Sequence, residues 1–384
     1  MTKKIVVTGA TGQDGSYMIE YLLANTQDTI IAAIRRTSQA ILSNLKGVLD
    51  NSRVKLVTID LNDVHSITTL IVDEKPDYFI NFGASAFVPD SWNSPAQVMQ
   101  TNAVSLIHIL EAVRKHAPQC RVYNAGSSEE YGDVLYSPQD EKHPARPRSI
   151  YGVSKATGRM ICKVYRESYG LYAVQGLLFN HESERRQEHY VTRKITKGVA
   201  RIARAIKDGK SFEPLELGNL DAKRDWSHSE DFIDGVWRML NQGYPPKVGI
   251  LAPGQTTAEG YSSEEYNRRL LVKCLREYIL SSGETHTVRE FVEKAFAAAE
   301  LYANHWVGAG VNETLVRDRG GHFNVPDQQD TLVRINPTFY RPAEVDILHG
   351  DSTAARRELG WSPKVTFDEL VTRMVKADLA EVGL

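Results

Sequence analysis

The sequence predicts an α/β fold: a doubly wound parallel sheet with a smaller C-terminal α/β lobe. Three observations carry this. Apolar, β-branched bursts alternate with longer helix-period stretches through the first half. The bursts lack polar alternation, as strands buried on both faces require. The alternation then breaks, after "LLFNHESERR", into irregular strands, loops and helices.

The expected strands are "KIVVTG", "DTIIAAI", "RVKLVTI", "DYFINFG", "CRVYNAG" and "YAVQGLLF". Between them "GSYMIEYLLAN", "HSITTLIVDEK", "NAVSLIHILEAVRKH" and "GVSKATGRMICKVYRESYG" place apolar residues at three- and four-residue spacing. A loop rich in Pro, Asp and Lys, "SPQDEKHPARPRS", precedes Tyr151. In the second half "YVTRKITKGVARIARAIKDG", "HTVREFVEKAFAAAEL" and "TFDELVTRMVKADLAEV" read as helices, the first ending on Gly209. "APGQTTAEGYSSEEYN" reads as a surface loop and "RRLLVKCLREYIL" as an amphipathic stretch. The expected division is residues 1–180 for the first domain, with some later segments returning to it, and 181–384 for the second.

With 384 residues the chain buries enough surface to need no metal or disulfide staple. A net charge of −2 argues against a nucleic-acid or membrane surface built on bulk electrostatics. Three scattered cysteines, Cys120, Cys162 and Cys274, fit reduced thiols in a cytoplasmic protein. No apolar run is long enough for a bilayer, and "MTKKIVVTG" leaves no room for a signal peptide. The 11 histidines show no paired ligand spacing, so no metal is expected.

Gly9, Gly12 and Gly15 stand three apart between the first strand and the first helix. Glycines there allow a tight turn and let backbone approach a pyrophosphate, which the helix N-terminus attracts. This makes the first domain a Rossmann-type nucleotide binder. The second strand ends in Arg35 and Arg36, where an NAD site usually has an acid. A guanidinium pair suits a 2′-phosphate and favours NADP, the alternative being a solvated basic turn. Asp60 and Leu61 in "TIDLND" are positioned to flank the adenine. "DGKSF" reads as a turn, since its upstream glycine is missing.

Tyr151 and Lys155 in "SIYGVSK" share one face of the helix they begin. An ammonium beside a phenol favours phenolate, so the pair can remove a hydroxyl proton as hydride leaves the same carbon. Upstream, "YNAGSSEEYG" sets two hydroxyls before two carboxylates at the end of a buried strand.

Together "TGATGQDG", "SSEEYG" and "YGVSK" resemble the extended short-chain dehydrogenase/reductases that act on nucleotide sugars. "LLFNHESERR", "YVTRKI", "LGNLDAKRDW", "GETHTVREFVEKAF", "YRPAEVD" and "FDELV" are similar to the GDP-mannose 4,6-dehydratase family over nearly the whole chain. The resemblance implies catalysis by Ser127, Glu129, Tyr151 and Lys155. Tyr151 would take the 4-hydroxyl proton of the sugar as the C4 hydride passes to NADP. Glu129 would remove the acidified C5 proton, water would leave C6, and the hydride would return there. Ser127 would hydrogen-bond the C4 oxygen, and Lys155 would hold the nicotinamide ribose. Thr11, Gln13 and Asp14 would join the glycines at the cofactor, with His181 and Arg186 near it. His181 also reads as a core histidine.

On the substrate side the resemblance implies Ser85, Ser128, Asn180, Val191, Arg193, Lys194, Arg224, Arg341 and Glu344 as contacts to a GDP-linked sugar. It also implies a homodimer or homotetramer. Glu130 has no role in that reaction, and the family usually has an apolar residue there. It reads as solvent-facing or structural, with service as the base as its alternative. Three departures stand out: Ser127 in place of Thr, Glu184 in place of Pro, and a long segment from about Pro253 to Tyr278. That segment either covers the sugar pocket or decorates the lobe. The departures leave room for another GDP-sugar, such as a GDP-heptose. An NADP-dependent 4-epimerase or 4-reductase is the further alternative, and would need no base at C5.

Overall fold

The computed structural model describes residues 2–35, 42–243, 249–302, 304–318, 329–339 and 347–384. They form two compact units. The first comprises Met1–Phe179, Ser229–Ser281 and Gly350–Ser362, and the second Asn180–His228, Ser282–His349 and Pro363–Leu384.

All six apolar bursts of the first half are strands of the first unit. They are β1 (Lys4–Thr8), β2 (Thr29–Arg35), β3 (Val54–Ile59), β4 (Tyr78–Asn81), β5 (Arg121–Ala125) and β6 (Ala173–Leu178). Every pairing is parallel, and the spatial order is β6-β5-β4-β1-β2-β3, extended beyond β6 by the short strand Ile279–Leu280. The chain winds outward from β1 to β3 and then, from β4, outward in the other direction. A crevice therefore opens at the carboxyl ends of β1 and β4, where α/β sheets bind ligands.

The helices between and beside these strands are α1 (Gln13–Asn25), α2 (Val64–Glu74), the short α3 (Asp90–Asn93) and α4 (Pro95–Met99), α5 (Ser105–His116) and α6 (Ile150–Tyr169), with two more of this unit following later in the chain. Ile67 and Ile71 of α2, Leu106, Ile109, Leu110 and Val113 of α5, and Cys162 of α6 pack on Val6, Ile31, Phe79 and Val122 of the sheet. Cys120 and Cys162 are buried free thiols.

In the second unit, α7 (Val191–Lys207) ends at Gly209, whose φ of +65° suits glycine. Completing the helices in chain order are α8 (Ser229–Leu240) and α9 (Ser263–Cys274) of the first unit, then α10 (Val288–Ala298) and α11 (Phe367–Glu381) of the second. Helices α7, α10 and α11 surround a core of Trp226, Phe291, Phe296, Phe367 and Met374. A four-stranded sheet completes that core with Leu215–Leu217, Asn304–Val307, Thr314–Asp318 and Gln329–Ile335. No helix among the described residues is long and apolar enough to cross a membrane.

The long segment before Tyr278 belongs to the first unit and is helical in part, as α9. Arg268 Nη1 donates to the carbonyl of Gly170, the residue that ends α6, at 3.0 Å. Tyr151 lies at the opposite end of α6, roughly 28 Å away at 1.5 Å per residue. The segment therefore neither covers Tyr151 nor decorates the second unit, and both expectations for it are corrected.

Candidate active site

The glycine loop leaves β1 at Thr8. Gly9 has φ of +65°, and a side-chain carbon on Gly15 would fall 2.3 Å from the Gly9 carbonyl oxygen, so α1 starts as close to the strand as backbone allows. Gly12 caps α1 with no side-chain hydrogen bond, so no capping group stands between the helix start and a ligand. These features fit a pyrophosphate. Thr11 is fixed through its carbonyl, which accepts from Asn44 Nδ2 at 3.0 Å. Gln13 is buried, and its amide donates to Asp14 Oδ1 at 3.1 Å, which also accepts from Ser229 Oγ at 2.8 Å. Asp14 thus braces the loop against α8.

At the neighbouring strand ends, Arg35 is exposed and Arg36 lies outside the described residues. Asp60 accepts from the Asn62 N–H at 2.9 Å, while Leu61 packs on Gly83, leaving no room for a side chain there. Ser85 is held by the Asn102 amide, which accepts its N–H at 2.8 Å and donates to its carbonyl at 3.1 Å.

β5 ends in a single helical turn, Ser128–Glu130, closed as a capping box. Ser127 Oγ accepts the Glu129 N–H at 3.2 Å, and Glu130 Oε1 accepts the Ser127 N–H at 3.1 Å. Ser128 is buried, whereas Ser127 and Glu129 are partly exposed. The reading of Glu130 as solvent-facing is corrected: its side chain is fully buried. The capping pattern S-x-x-E was visible in the sequence and was the signal that could have found it.

Ser149 caps α6 by accepting the Gly152 N–H at 3.0 Å. The helix begins against the turn, and a side chain on Gly152 would stand 2.5 Å from the Glu129 carbonyl oxygen. Gly152 is thus what lets the start of α6 pack against the backbone of the Glu129 turn, a role sequence reasoning missed. Tyr151 and Lys155 are both buried, with Lys155 Nζ 5.7 Å from the centre of the Tyr151 ring. Lys155 Nζ donates to the Ala125 carbonyl at 2.7 Å, fixing α6 on β5. Burial pulls the Lys155 ammonium down to about 8, against the carboxylates of Glu130 and Asp14.

In the second unit, Asn180 opens the strand Asn180–Glu182, and its buried Oδ1 has no hydrogen-bond partner among the described residues. His181 follows it, partly exposed, in register with Ser227. Arg186 Nε stands 3.1 Å from Glu182 Oε2, with the guanidinium 3.6 Å over the Tyr190 ring. Val191, the first residue of α7, is exposed.

Arg193 is a correction. It is 4% exposed, and its guanidinium meets Asp378 at 2.9 Å and Glu381 at 3.2 Å, so it pins α7 to α11. Neighbouring residues on a helix diverge by about 100°, so Arg193 and Lys194 do not share a face. Lys194 is half-buried, its ammonium 3.6 Å over Phe339, and burial lowers its pKa against Glu216. Arg224 is buried and donates to the Lys223 carbonyl at 2.9 Å. Arg341 and Glu344 lie outside the described residues. Among those described, no group of His, Cys, Asp and Glu could hold a metal ion.

Solved structures share this architecture. A UDP-glucose 4-epimerase from Thermotoga maritima aligns over 97% of this chain and 98% of its own, with TM-score 0.72 and 18% identity. A dTDP-glucose 4,6-dehydratase from Streptomyces venezuelae, with NAD bound, covers 97% and 96%, with TM-score 0.73 and 20% identity. The protein RMD from Pseudomonas aeruginosa, with NADPH, covers 99% and 100%, with TM-score 0.68 and 19% identity. At these identities the likeness is one of fold. Sequence relatives are nearer. A GDP-mannose 4,6 dehydratase of Drosophila melanogaster is 38% identical, over 98% of this chain and 86% of its own. Those of Vibrio cholerae serotype O1 and Homo sapiens are 36% and 34% identical, covering 99% and 97% of this chain and 95% and 91% of theirs. The family model for GDP-mannose 4,6 dehydratase matches residues 6–275 and 264–374. Matched along nearly its whole length by family model and relatives alike, this chain belongs to the GDP-mannose 4,6-dehydratase family.

Proposed function

We propose that this chain is an NADP-dependent GDP-mannose 4,6-dehydratase that forms GDP-4-keto-6-deoxymannose. The observation that carries the reading is the packing of the Glu129 backbone against Gly152, which brings a carboxylate-bearing turn to the Tyr151–Lys155 pair. A 4-epimerase or 4-reductase has no use for that carboxylate. The glycine loop, Thr11 and Gln13 hold the dinucleotide, Arg35 favours its 2′-phosphate, and Asp60 and Leu61 border the adenine. When bound, the cofactor supplies a place for a hydride to leave C4 and return to C6.

This chain's residues manage the protons. Tyr151 Oη takes the proton of the 4-hydroxyl, with Ser127 hydrogen-bonded to the same oxygen and the Lys155 ammonium favouring phenolate. The resulting C4 carbonyl acidifies the C5 proton, which Glu129 removes. Elimination breaks the C6–oxygen bond, and the hydroxyl departs as water with a proton. C6 gains hydride and C5 a proton, so the net change is loss of one water. Lys194 and Arg224, with Asn180, Val191, Ser85 and Ser128, bind the GDP-sugar, while His181 and Arg186 stand near the cofactor. The first unit serves mainly the dinucleotide and the second mainly the GDP-sugar, and the working form is a homodimer or homotetramer in the cytoplasm.

The test is GDP-mannose incubated with the purified protein in heavy water, followed by mass spectrometry and NMR. Loss of one water with deuterium at C5 is expected. Unchanged GDP-mannose overturns it as substrate, and turnover without C5 exchange overturns the elimination.

A further inference from the structure

A polar rung crosses the buried sheet beside the reacting groups. Thr8, Asn81, Asn124 and Gln175 occupy matched positions on β1, β4, β5 and β6, at or near their carboxyl ends. All four are 3% exposed or less. Thr8 Oγ1 accepts from the Gly83 N–H at 3.0 Å and donates to Asn81 Oδ1 at 2.6 Å. Asn81 Nδ2 donates to Asn124 Oδ1 at 2.8 Å, and Asn124 Nδ2 to Gln175 Oε1 at 2.6 Å. Gln175 Nε2 then donates both to Glu130 Oε1 and to the Lys155 carbonyl, each at 2.8 Å.

Every amide in this rung spends its NH₂ in one direction, so the rung must end on an acceptor. It ends on two, the Lys155 carbonyl and the Glu130 carboxylate, and the same carboxylate oxygen takes the Ser127 N–H. We propose that Glu130 is a positioning residue of the reaction, the side-chain acceptor that locks the Ser127–Glu129 turn, the start of α6 and the end of β1, from which the glycine loop leaves, into one registered block. It touches no reacting atom. A smaller or apolar side chain would orphan the Ser127 N–H and half of the Gln175 amide inside the protein.

The carboxyl also has an electrostatic reach. Burial pushes Glu130 up to about 7, against Arg159, the Ser127 N–H and Gln175, with Glu277 adding to the rise. The ionisable groups around it are Lys155, Arg159 and Cys162 on α6, Tyr123 on β5, Tyr131 beyond the turn, and Glu277 ahead of the strand Ile279–Leu280. Arg159 Nε stands 3.7 Å from Glu130 Oε2 and 3.9 Å from Glu277, which also meets Arg166 at 3.4 Å. Burial raises the Tyr123 and Tyr131 phenols and the Cys162 thiol, keeping them neutral near pH 7. Lys155 is therefore the neighbour whose charge responds, and the Glu130 carboxylate helps it stay protonated.

The proposal rests on the dehydratase reading for what is positioned, so wild type is assayed first. Wild type, Glu130→Gln and Glu130→Leu, each with NADP, are compared for thermal midpoint and for kcat and KM on GDP-mannose across pH. Glu130→Leu is expected to lose roughly tenfold or more in kcat with KM within about twofold. Glu130→Gln, which keeps an acceptor oxygen, should stay within about threefold at its optimum. In both, the alkaline fall of kcat should begin at lower pH, since Lys155 has lost a carboxylate neighbour; a purely structural side chain would not move it. Wild-type kcat in Glu130→Leu with an unmoved alkaline limb overturns the proposal. If Glu130→Leu does not fold, the limb of Glu130→Gln decides. If wild type leaves GDP-mannose intact, the dehydratase reading fails separately, and the pH at which NADPH affinity is lost, read by fluorescence, takes over. Displaced curves for Glu130→Gln then support the proposal, and coincident curves overturn it.

Discussion

Glu129 and Glu130 are adjacent carboxylates with opposite surroundings, and environment assigns their work. Glu129 is partly exposed on the turn, as the proposed base at C5 has to be to meet a sugar. Glu130 is sealed beneath it as an acceptor. Replacing Glu129 by Gln removes the proposed base at C5 and leaves the Tyr151 pair in place. Water loss should then fall by about 10²–10⁴-fold, with hydride transfer from C4 persisting as a slow rise of reduced-cofactor absorbance. Turnover at the wild-type rate would instead favour a 4-epimerase. Arg193 makes a different case, since it is buried between two carboxylates rather than offered to a ligand. Arg193→Met should destabilise by about 3 kcal/mol, because Asp378 is left buried and unpaired. Thermal unfolding would show the loss, while GDP affinity of the folded protein should hold.

At the scale of elements, α6 does the assembling. Its first turn carries Tyr151, its second Lys155, and between them Gly152 admits the turn that follows β5. Gly152→Val would drive a side chain into the Glu129 carbonyl, so the turn and α6 must separate. We expect kcat to fall by roughly 100-fold, consistent with the cost of an ångström of misplacement, while the glycine loop still takes up NADPH. Fluorescence titration alongside the activity assay separates these outcomes; unchanged kcat would show that the contact is dispensable. The far end of α6 is a different environment. There α9 docks through Arg268 on Gly170, so Arg268→Ala should leave kcat within about twofold and act only on stability.

Across the whole molecule, the site sets a dependence of stability on pH. Glu130 is raised from 4.5 to about 7, so the folded protein holds its proton where the unfolded chain has released it. That contribution is present below pH 4.5 and is lost as pH rises to about 7. Lys155 is lowered from 10.5 to about 8, so its contribution is present above 10.5 and is lost as pH falls through about 8. Between those two values both charges are buried together, at a cost of roughly 3 kcal/mol each at most. Thermal midpoints should therefore decline for wild type relative to Glu130→Gln as pH rises from 4.5 to about 7; parallel curves would refute the assignment. The sequence by itself determined the wound sheet, because apolar bursts separated by helix-period stretches have few other ways to bury themselves. It likewise determined the glycine loop and the Tyr151–Lys155 face, whose geometry follows from local spacing alone. It did not determine that Glu130 turns inward, that Arg193 serves α11, or that Asn81, Asn124 and Gln175 meet in one rung. Those depend on which strands become neighbours and in what register, through contacts between residues 43, 51 and up to 188 positions apart. Local patterns carry no record of such distances, so only the tertiary structure decides which polar side chains find partners.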